Sequence, residues 1–189
     1  MSRFFLLSSQ NMDQPTIKTR RLILRPWQES DAQMLFKYAS DPEVGPRAGW
    51  EPHQSVEESE KIIREVFSND HTWAVVRRRS GEVIGCMGYY DHWNSNIKIG
   101  EADVEIGYWI AKPFWNKGYC TEALRAMIHY CFNTLGAPTL WSDFFVDNPA
   151  SGRVMEKCGF RDTGELNLCS HLYHGDERPV KVMRLDYAL

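Results

Sequence analysis

The sequence predicts an α+β fold: one mixed β-sheet with helices packed on both of its faces. Hydrophobic periodicity divides the chain into the order β-α-α-β-β-β-α-β-α-β-β. Three consecutive strands joined by short connections must be largely antiparallel. A strand-helix-strand run over residues 102–146 requires a parallel pair within the same sheet.

Each element follows from local patterning. The first strand is expected at 17–24, ended by Pro26. Ser30 and Gln33 are spaced as a capping box for a helix over 31–39, with Met34, Leu35 and Tyr38 on its apolar face. Residues 41–53 form a loop with Pro42, Pro46, Pro52, Gly45 and Gly49. A second capping box, Ser55 and Glu58, opens a helix reaching about Phe67 and burying Ile62, Ile63 and Val66. Strands at 72–77 and 83–90 flank a turn through Ser80 and Gly81. After polar residues 91–100 comes a strand at 102–111. A long helix at 118–135 carries Cys120, Ala123, Leu124, Met127, Ile128, Cys131, Phe132 and Leu135 as one apolar stripe, stopped by Gly136 and Pro138. The strand at 139–146 leads to Asn148 as N-cap, Pro149 at the first helical position, and Gly159 as the stop. Strands at 160–166 and 180–187 flank an irregular loop at 168–179.

At 189 residues the chain suits one domain, and a chain of that length buries roughly 70% of its unfolded surface without a metal or disulfide staple. Residues 1–15 are expected to be a disordered leader and 16–189 the domain. The apolar run Phe4 to Leu7 is too short for a signal-peptide core, and Met12 is an alternative start. A net charge of −3 and the lack of a basic run speak against nucleic acid as a partner. No apolar stretch approaches the ~20 residues of a membrane span. Five cysteines, odd in number and without CxxC spacing, are best explained as free thiols in a reducing cytoplasm.

Chemistry concentrates in 102–124. Val104, Ile106, Tyr108 and Ile110 alternate with Asp103, Glu105, Gly107 and Trp109. A Gly inside a strand suggests a bulge or a close approach, and a bulge would splay the strand from its neighbour. The following PFWNKGYCT must turn into the long helix, whose N-terminal amides form an anion site suited to a phosphate or pyrophosphate. No GxxxxGK[ST] or GxGxxG supports a nucleotide triphosphate or dinucleotide.

EIGYWIAKPFWNKGYCTEAL (105–124) resembles the acetyl-CoA signature of the GNAT acetyltransferases, especially their RimJ/RimL-like branch, which acetylates N-termini of ribosomal proteins and other amines. NPASGRVMEKCGF (148–160) is similar to the second signature of that branch, and RRLILRPWQESDA (20–32) with SDPEV (40–44) to its opening. The resemblance spans about 16–189. It implies a GNAT-like, mostly antiparallel twisted sheet of about seven strands with a splayed central parallel pair. It further implies acetyl-CoA as cosubstrate, no metal, an amine acceptor, and a homodimer as one possible assembly. By the same resemblance, the backbone of Trp109 and Ile110 would pair with the pantetheine arm. Amides from Asn116, Lys117, Gly118, Tyr119, Cys120 and Thr121 would hold the pyrophosphate, and Asn148 and Ser151 would lie near the pantetheine and sulfur. The superfamily usually has Gly where this chain has Asn116, but Asn tolerates left-handed geometry. Met155 stands where many relatives carry a tyrosine acid, which leaves Ser151, another side chain or water for that role.

An amine must lose a proton before it attacks a thioester. At pH 7 this costs roughly 1 kcal/mol for an α-amine and roughly 4–5 for a lysine. Glu105, in mid-strand, is the candidate base; its alternative reading is a structural acid bonded to a buried backbone group or an Arg. A freed backbone N–H near Ile110 would meet the oxyanion. Asp103 and Glu101 read as a solvated strand edge. Cys120 and Cys158 read as packing, which disfavours a covalent cysteine mechanism. Cys169, His171, His174 and Asp176 are close in sequence but lie in a loop without a helical frame, so no zinc is expected. Trp50 and His53 are lid candidates by family position, with packing as the alternative, and Tyr90 and Trp93 carry the same pair of readings. The acceptor is either a protein or peptide N-terminus or a small amine (an amino acid, polyamine or antibiotic), and a non-catalytic acyl-CoA-binding module is the rival class.

Overall fold

A computed structural model describes residues 14–169 and 177–187. Its strands are β1 (Ile17–Lys18), β2 (Leu22–Pro26), β3 (Thr72–Arg77), β4 (Val83–Tyr90), β5 (Val104–Ile110), β6 (Thr139–Phe145), β7 (Arg161–Cys169) and β8 (Arg178–Asp186). They form one sheet in the order β1-β2-β3-β4-β5-β6-β8-β7. The helices are α1 (Ala32–Ala39), α2 (Gly45–Ala48), α3 (Val56–Ile62), α4 (Tyr119–Tyr130) and α5 (Pro149–Lys157). One face of the sheet buries Leu24, Trp73, Met87 and Ile106 against Leu124 and Met127 of α4 and Met155 of α5. The other buries Ala74, Val76 and Cys86 against Leu35 and Ala39 of α1 and Ile63 at the end of α3. The α+β mixed sheet is as the sequence predicts, with one strand more.

The extra strand comes from the N-terminal segment. Residues 17–24 do not form one strand; they fold back as a hairpin, with Ile17 opposite Leu24 and Lys18 opposite Ile23. Thr19 makes the turn, its N–H donating to Leu22 O and its Oγ1 accepting from Leu22 N. Of the expected leader, residues 1–13 fall outside the described residues. Gln14 and Pro15 are tied to β3, through Gln14 Nε2 to Thr72 O and Trp73 Nε1 to Pro15 O.

Two helix expectations need correction. The start of α1 is organised by Asp31 rather than by Ser30 and Gln33: Asp31 Oδ2 accepts from Gln28 N, and Arg25 binds both carboxylate oxygens. Ser55 does cap α3, accepting from Glu58 N, and Glu58 reaches back to Gln54 N. That helix then widens into a π turn over Ile63–Phe67. The extra residue in the turn carries Val66 off the apolar stripe, leaving it 53% exposed, while Phe67 stacks on Trp27. Leu135, at the far end of the α4 stripe, is likewise exposed, as the last residue of a second π turn over Cys131–Leu135.

The split in the sheet is its main functional feature. β5 and β6 are parallel but pair only at Val104–Leu140 and Glu105–Trp141. β6 keeps its register with β8 through Phe145, and β5 keeps its register with β4 from Glu105 to Ile110. Each strand follows its antiparallel neighbour, and the two part beyond residue 105. No bulge at Gly107 causes this. That glycine accommodates the Tyr90 ring, whose nearest carbon would lie 3.0 Å from an added Cβ.

Candidate functional site

Along β5 the backbone hydrogen-bonding direction alternates. Ala111 N donates to Ile84 O, so residues 105, 107 and 109 turn their peptide groups to β4 while 106, 108 and 110 turn theirs to the gap. Ser142 Oγ on β6 donates to Ile106 O, and Trp115 Nε1 donates to Ile110 O at 2.5 Å. This corrects one expectation: Trp109 presents its side chain to the cleft but its peptide groups to β4. Tyr108 and Ile110 are the residues whose N–H groups face the gap, because the period of a strand is two.

The gap opens into a cleft of about 900 Å³, lined among others by Glu105, Trp109, Ile110, Asn116, Gly118, Tyr119, Cys120, Thr121, Asn148 and Ser151. Of the residues expected from sequence, Lys117 is the one not on this wall. It is exposed, and its Nζ donates to Pro113 O. At the mouth, Asn116 has φ 57° and Gly118 φ 74°, two left-handed residues that turn the chain into α4. Asn116 is the only non-glycine with positive φ among the described residues, in keeping with the tolerance argued for it. The first bond of α4 runs from Glu122 N to Gly118 O, so the amides of Tyr119, Cys120 and Thr121 are its first-turn donors. An extended amide-bearing arm ending in a pyrophosphate fits this combination of open strand edge and helix N-terminus.

Arg21 braces that turn. Its Nη1 donates to Lys117 O at 2.9 Å, and its guanidinium lies 4.4 Å from the Tyr119 ring centre. Asn148 sits at the N-cap of α5 without capping it; its side-chain amide donates to Arg47 O instead, joining α5 to the α2 segment.

On one face of the split lie Glu105, Tyr90, Trp109 and Asp143. Glu105 is 2% exposed. Its Oε2 accepts from Ser95 Oγ and from Asn96 N, both at 2.7 Å. The carboxylate thus binds a backbone amide, as its structural reading expects, and it also borders the cleft. Burial pushes the Asp143 carboxyl up to about 7, with the charge of Glu105 adding to the shift. Desolvation also raises the Tyr90 phenol to about 12, although the residue is 37% exposed. Trp50 packs edge-on against Trp109, and His53 is buried with Nδ1 2.8 Å from Ser59 Oγ. Desolvation lowers the pKa of His53 despite the nearby Glu58 charge. Both lid candidates are packed and both border the cleft. Trp93, by contrast, is 84% exposed.

On the opposite face, Ser151 Oγ donates to the Tyr108 hydroxyl (3.1 Å), which donates to Ser151 O (3.2 Å). Burial raises the Tyr108 phenol well above its ordinary value. Met155 is fully buried in the core. Burial likewise raises the thiols of Cys120 and Cys158. Asp103 is a structural acceptor for Trp141 Nε1 and Gly100 N.

Tyr108 and Asp143 were missed from sequence because each reads as an ordinary strand residue; only the parting of β5 from β6 exposes them to one cleft. Among the described residues no group of three or more His, Cys, Asp or Glu is placed to hold a metal, and of the four once grouped only Cys169 is described. No helix among the described residues is long and apolar enough to cross a membrane.

Comparison with known proteins agrees with this geometry. Residues 21–161 match the family model described as an acetyltransferase (GNAT) domain. An N-acetyltransferase of Bacillus subtilis, YoaA, itself uncharacterised, is 31% identical over 157 residues, covering 80% of this chain and 86% of YoaA. The crystal structure of a GNAT-family acetyltransferase from Bacillus anthracis superposes with a TM-score of 0.76 at 23% identity, covering 91% of this chain and 98% of that one. A ribosomal-protein-S5-alanine acetyltransferase from Vibrio fischeri superposes at 0.68 and 17% identity, covering 91% and 96%. At such identities the two structures speak for the fold alone.

Proposed function

The chain belongs to the GNAT acetyltransferase family and is an acetyl-CoA-dependent N-acetyltransferase; from that premise we propose that its acceptor is the α-amine of a protein or peptide N-terminus, as in the RimJ/RimL-like branch. The α-amine is favoured by the paired signatures at 105–124 and 148–160, and the observation that supports amine acetylation best is the buried Glu105 carboxylate beside the split between β5 and β6, on the face away from Tyr108 and Ser151. An ammonium entering over Trp109 meets a negative charge at the place where a thioester in the split would present its carbonyl carbon.

The proposed roles follow from position. The amides of Asn116 and of Gly118 through Thr121 hold the pyrophosphate of acetyl-CoA, with Lys117 contributing backbone. Ile110 and Tyr108 offer N–H groups to the pantetheine arm and to the oxyanion. Asn148 closes the other wall. Glu105 is the catalytic carboxylate at which the ammonium docks and through which its proton leaves. The deprotonated amine then attacks the thioester directly, with no acyl-enzyme, since burial raises the Cys86 and Cys120 thiols of the cleft. The Ser151–Tyr108 pair supplies a hydroxyl to the leaving sulfur in place of the family's helix tyrosine.

The test is an acetyl-transfer screen with isotope-labelled acetyl-CoA, a library of N-terminal peptides and a panel of amino acids, polyamines and aminoglycosides, read by mass spectrometry. Label on peptide α-amines, lost in Glu105→Gln, is the expected result. Label confined to a small amine would replace the N-terminal reading. Binding of acetyl-CoA with no transfer to any amine would favour a sensing module.

A further inference from the structure

A second carboxylate shares the acceptor side of the cleft with Glu105. Asp143 lies on β6 two residues beyond Trp141, the register partner of Glu105, so strand alternation places both carboxylates on the same face of the sheet. Between them the strands part. The Oδ2 atom of Asp143 is buried and has no hydrogen-bond partner among the described residues. Its chain neighbours are engaged on the opposite face, Ser142 with Ile106 O and Phe144 against Gly152 of α5. A buried carboxylate oxygen without a donor is unfavourable when charged and is satisfied by a proton.

We propose that Asp143 is the resting place of the proton lost by the acceptor amine, with Glu105 as the anion that docks the ammonium beside it. This rests on the amine-acetylation reading above and adds a residue to it. The ammonium gives one proton, by way of Glu105, to the Asp143 carboxylate, which becomes a neutral carboxyl group. The nitrogen lone pair then forms the C–N bond to the thioester carbonyl carbon. The C–S bond breaks with its electrons on sulfur, and the second proton leaving nitrogen neutralises the thiolate. Asp143 returns its proton to water, completing the balance of one amide, one thiol and one released proton.

The neighbours of Asp143 suit this role. Glu105 acts on it from β5 and Tyr90 interacts with it from β4, while Cys86 of β4 and Cys169 of β7 line the same cleft. Its register partner on β8 is Val182; of the charged residues flanking that position, Lys181 is bonded to Asp162 and Arg184 to Asp186. Desolvation holds the Tyr90 phenol and the Cys86 thiol near 12. Tyr108, on the other side of the split, stays protonated as well, and His53, from the loop after α2, is neutral. Near neutral pH the charge acting on Asp143 is that of Glu105, and with burial it brings the carboxyl to about 7. A group matched to the working pH exchanges protons in both directions most readily. The two carboxylates thereby divide the work: Glu105, held by Ser95 Oγ and Asn96 N, docks the ammonium and passes on its proton, and Asp143 carries it.

The test is the pH profile of kcat/KM for the wild type, Asp143→Asn and Asp143→Glu, on whichever amine the screen identifies. The wild type is expected to lose activity as the pH falls through about 7. Asp143→Asn is expected to be roughly a hundredfold slower on the plateau and to lack that limb, because amide replaces the titrating group. Asp143→Glu should recover the limb. An unchanged limb in Asp143→Asn, whatever its rate, would overturn the proposal. Difference infrared spectroscopy of the wild type and Glu105→Gln gives a readout independent of turnover and of whether Asp143→Asn folds. A protonated-carboxyl band that titrates near neutral pH and survives, shifted to lower pH, in Glu105→Gln supports Asp143. The absence of such a band in the wild type overturns it. A wild type that acetylates no amine yet shows the band would defeat the acetylation reading while leaving the carboxyl assignment standing.

Discussion

Arg21 donates from Nε to Glu122 Oε2 at 2.6 Å, joining residues 101 positions apart. Thr19 Oγ1 and Arg21 N both donate to the other carboxylate oxygen, at 2.6 and 2.7 Å. The turn between β1 and β2 is thus clamped to the first turn of α4, and Arg21 reaches on to Lys117 O in the pyrophosphate loop. Burial alone would raise the pKa of Glu122, but the bonds from Thr19 and Arg21 outweigh it and leave the carboxyl below its ordinary value.

Glu122→Gln is therefore expected to destabilise the fold by about 2 kcal/mol at pH 7, the scale of hydrogen bonds to a charged partner. The folded pKa is depressed, so this contribution is present above the ordinary glutamate value of 4.5 and is lost as the pH falls through the lower folded value. Urea unfolding at pH 7 and at progressively lower pH checks both points: the gap between variant and wild type should narrow on acidification. Weaker acetyl-CoA binding, by several-fold, is expected alongside.

Asp143→Asn should behave in the opposite way. The folded carboxyl is raised from 3.8 to about 7, so the wild type loses stability as the pH rises between those values. The variant is expected to be more stable than the wild type at pH 8, by up to a few kcal/mol. The two should converge near pH 4. Thermal melts at the two pH values decide this, and no convergence would mean that Asp143 is not buried as a strained anion.

Asn116 tests the phosphate loop by conformation alone. Asn116→Gly keeps φ 57° accessible and is expected to leave acetyl-CoA affinity within about twofold. Asn116→Val meets a left-handed penalty of roughly 1–2 kcal/mol and should weaken binding about tenfold. Calorimetric titration with coenzyme A measures both; equal affinities would remove the loop from the site.

Tyr108→Phe and Ser151→Ala should each lower kcat by roughly tenfold with little change in KM for acetyl-CoA. Because their hydroxyls are bonded to each other, the double variant should be scarcely slower than either single one. Multiplicative losses would show that the two hydroxyls act separately.

How much of this was legible in the chain differs by element. The α4 stripe of Ala123, Leu124 and Met127, the Ser55 cap and the left-handed Asn116 are local facts, set by spacing and by backbone sterics within a few residues. The paired signatures at 105–124 and 148–160 carried the family in the same way, because loop and helix start are contiguous in sequence. Glu105 stood out as an acid in the middle of the strand, between Val104 and Ile106.

The remainder depended on which strands meet and where they separate. Nothing in residues 17–24 marks the fold-back at Thr19, since the pattern Ile-Lys-Thr-Arg-Arg-Leu-Ile-Leu also suits a single strand. The peptide direction of Trp109 against Ile110 was settled by the register with β4, and the Arg21–Glu122 clamp by the sheet order. Asp143 and Tyr108 become cleft residues only through the parting of β5 from β6. A chain determines its turns, caps and periods through interactions a few residues long; burial and charge at a cleft are sums over strands far apart in sequence, and these exist only once β5 and β6 have parted.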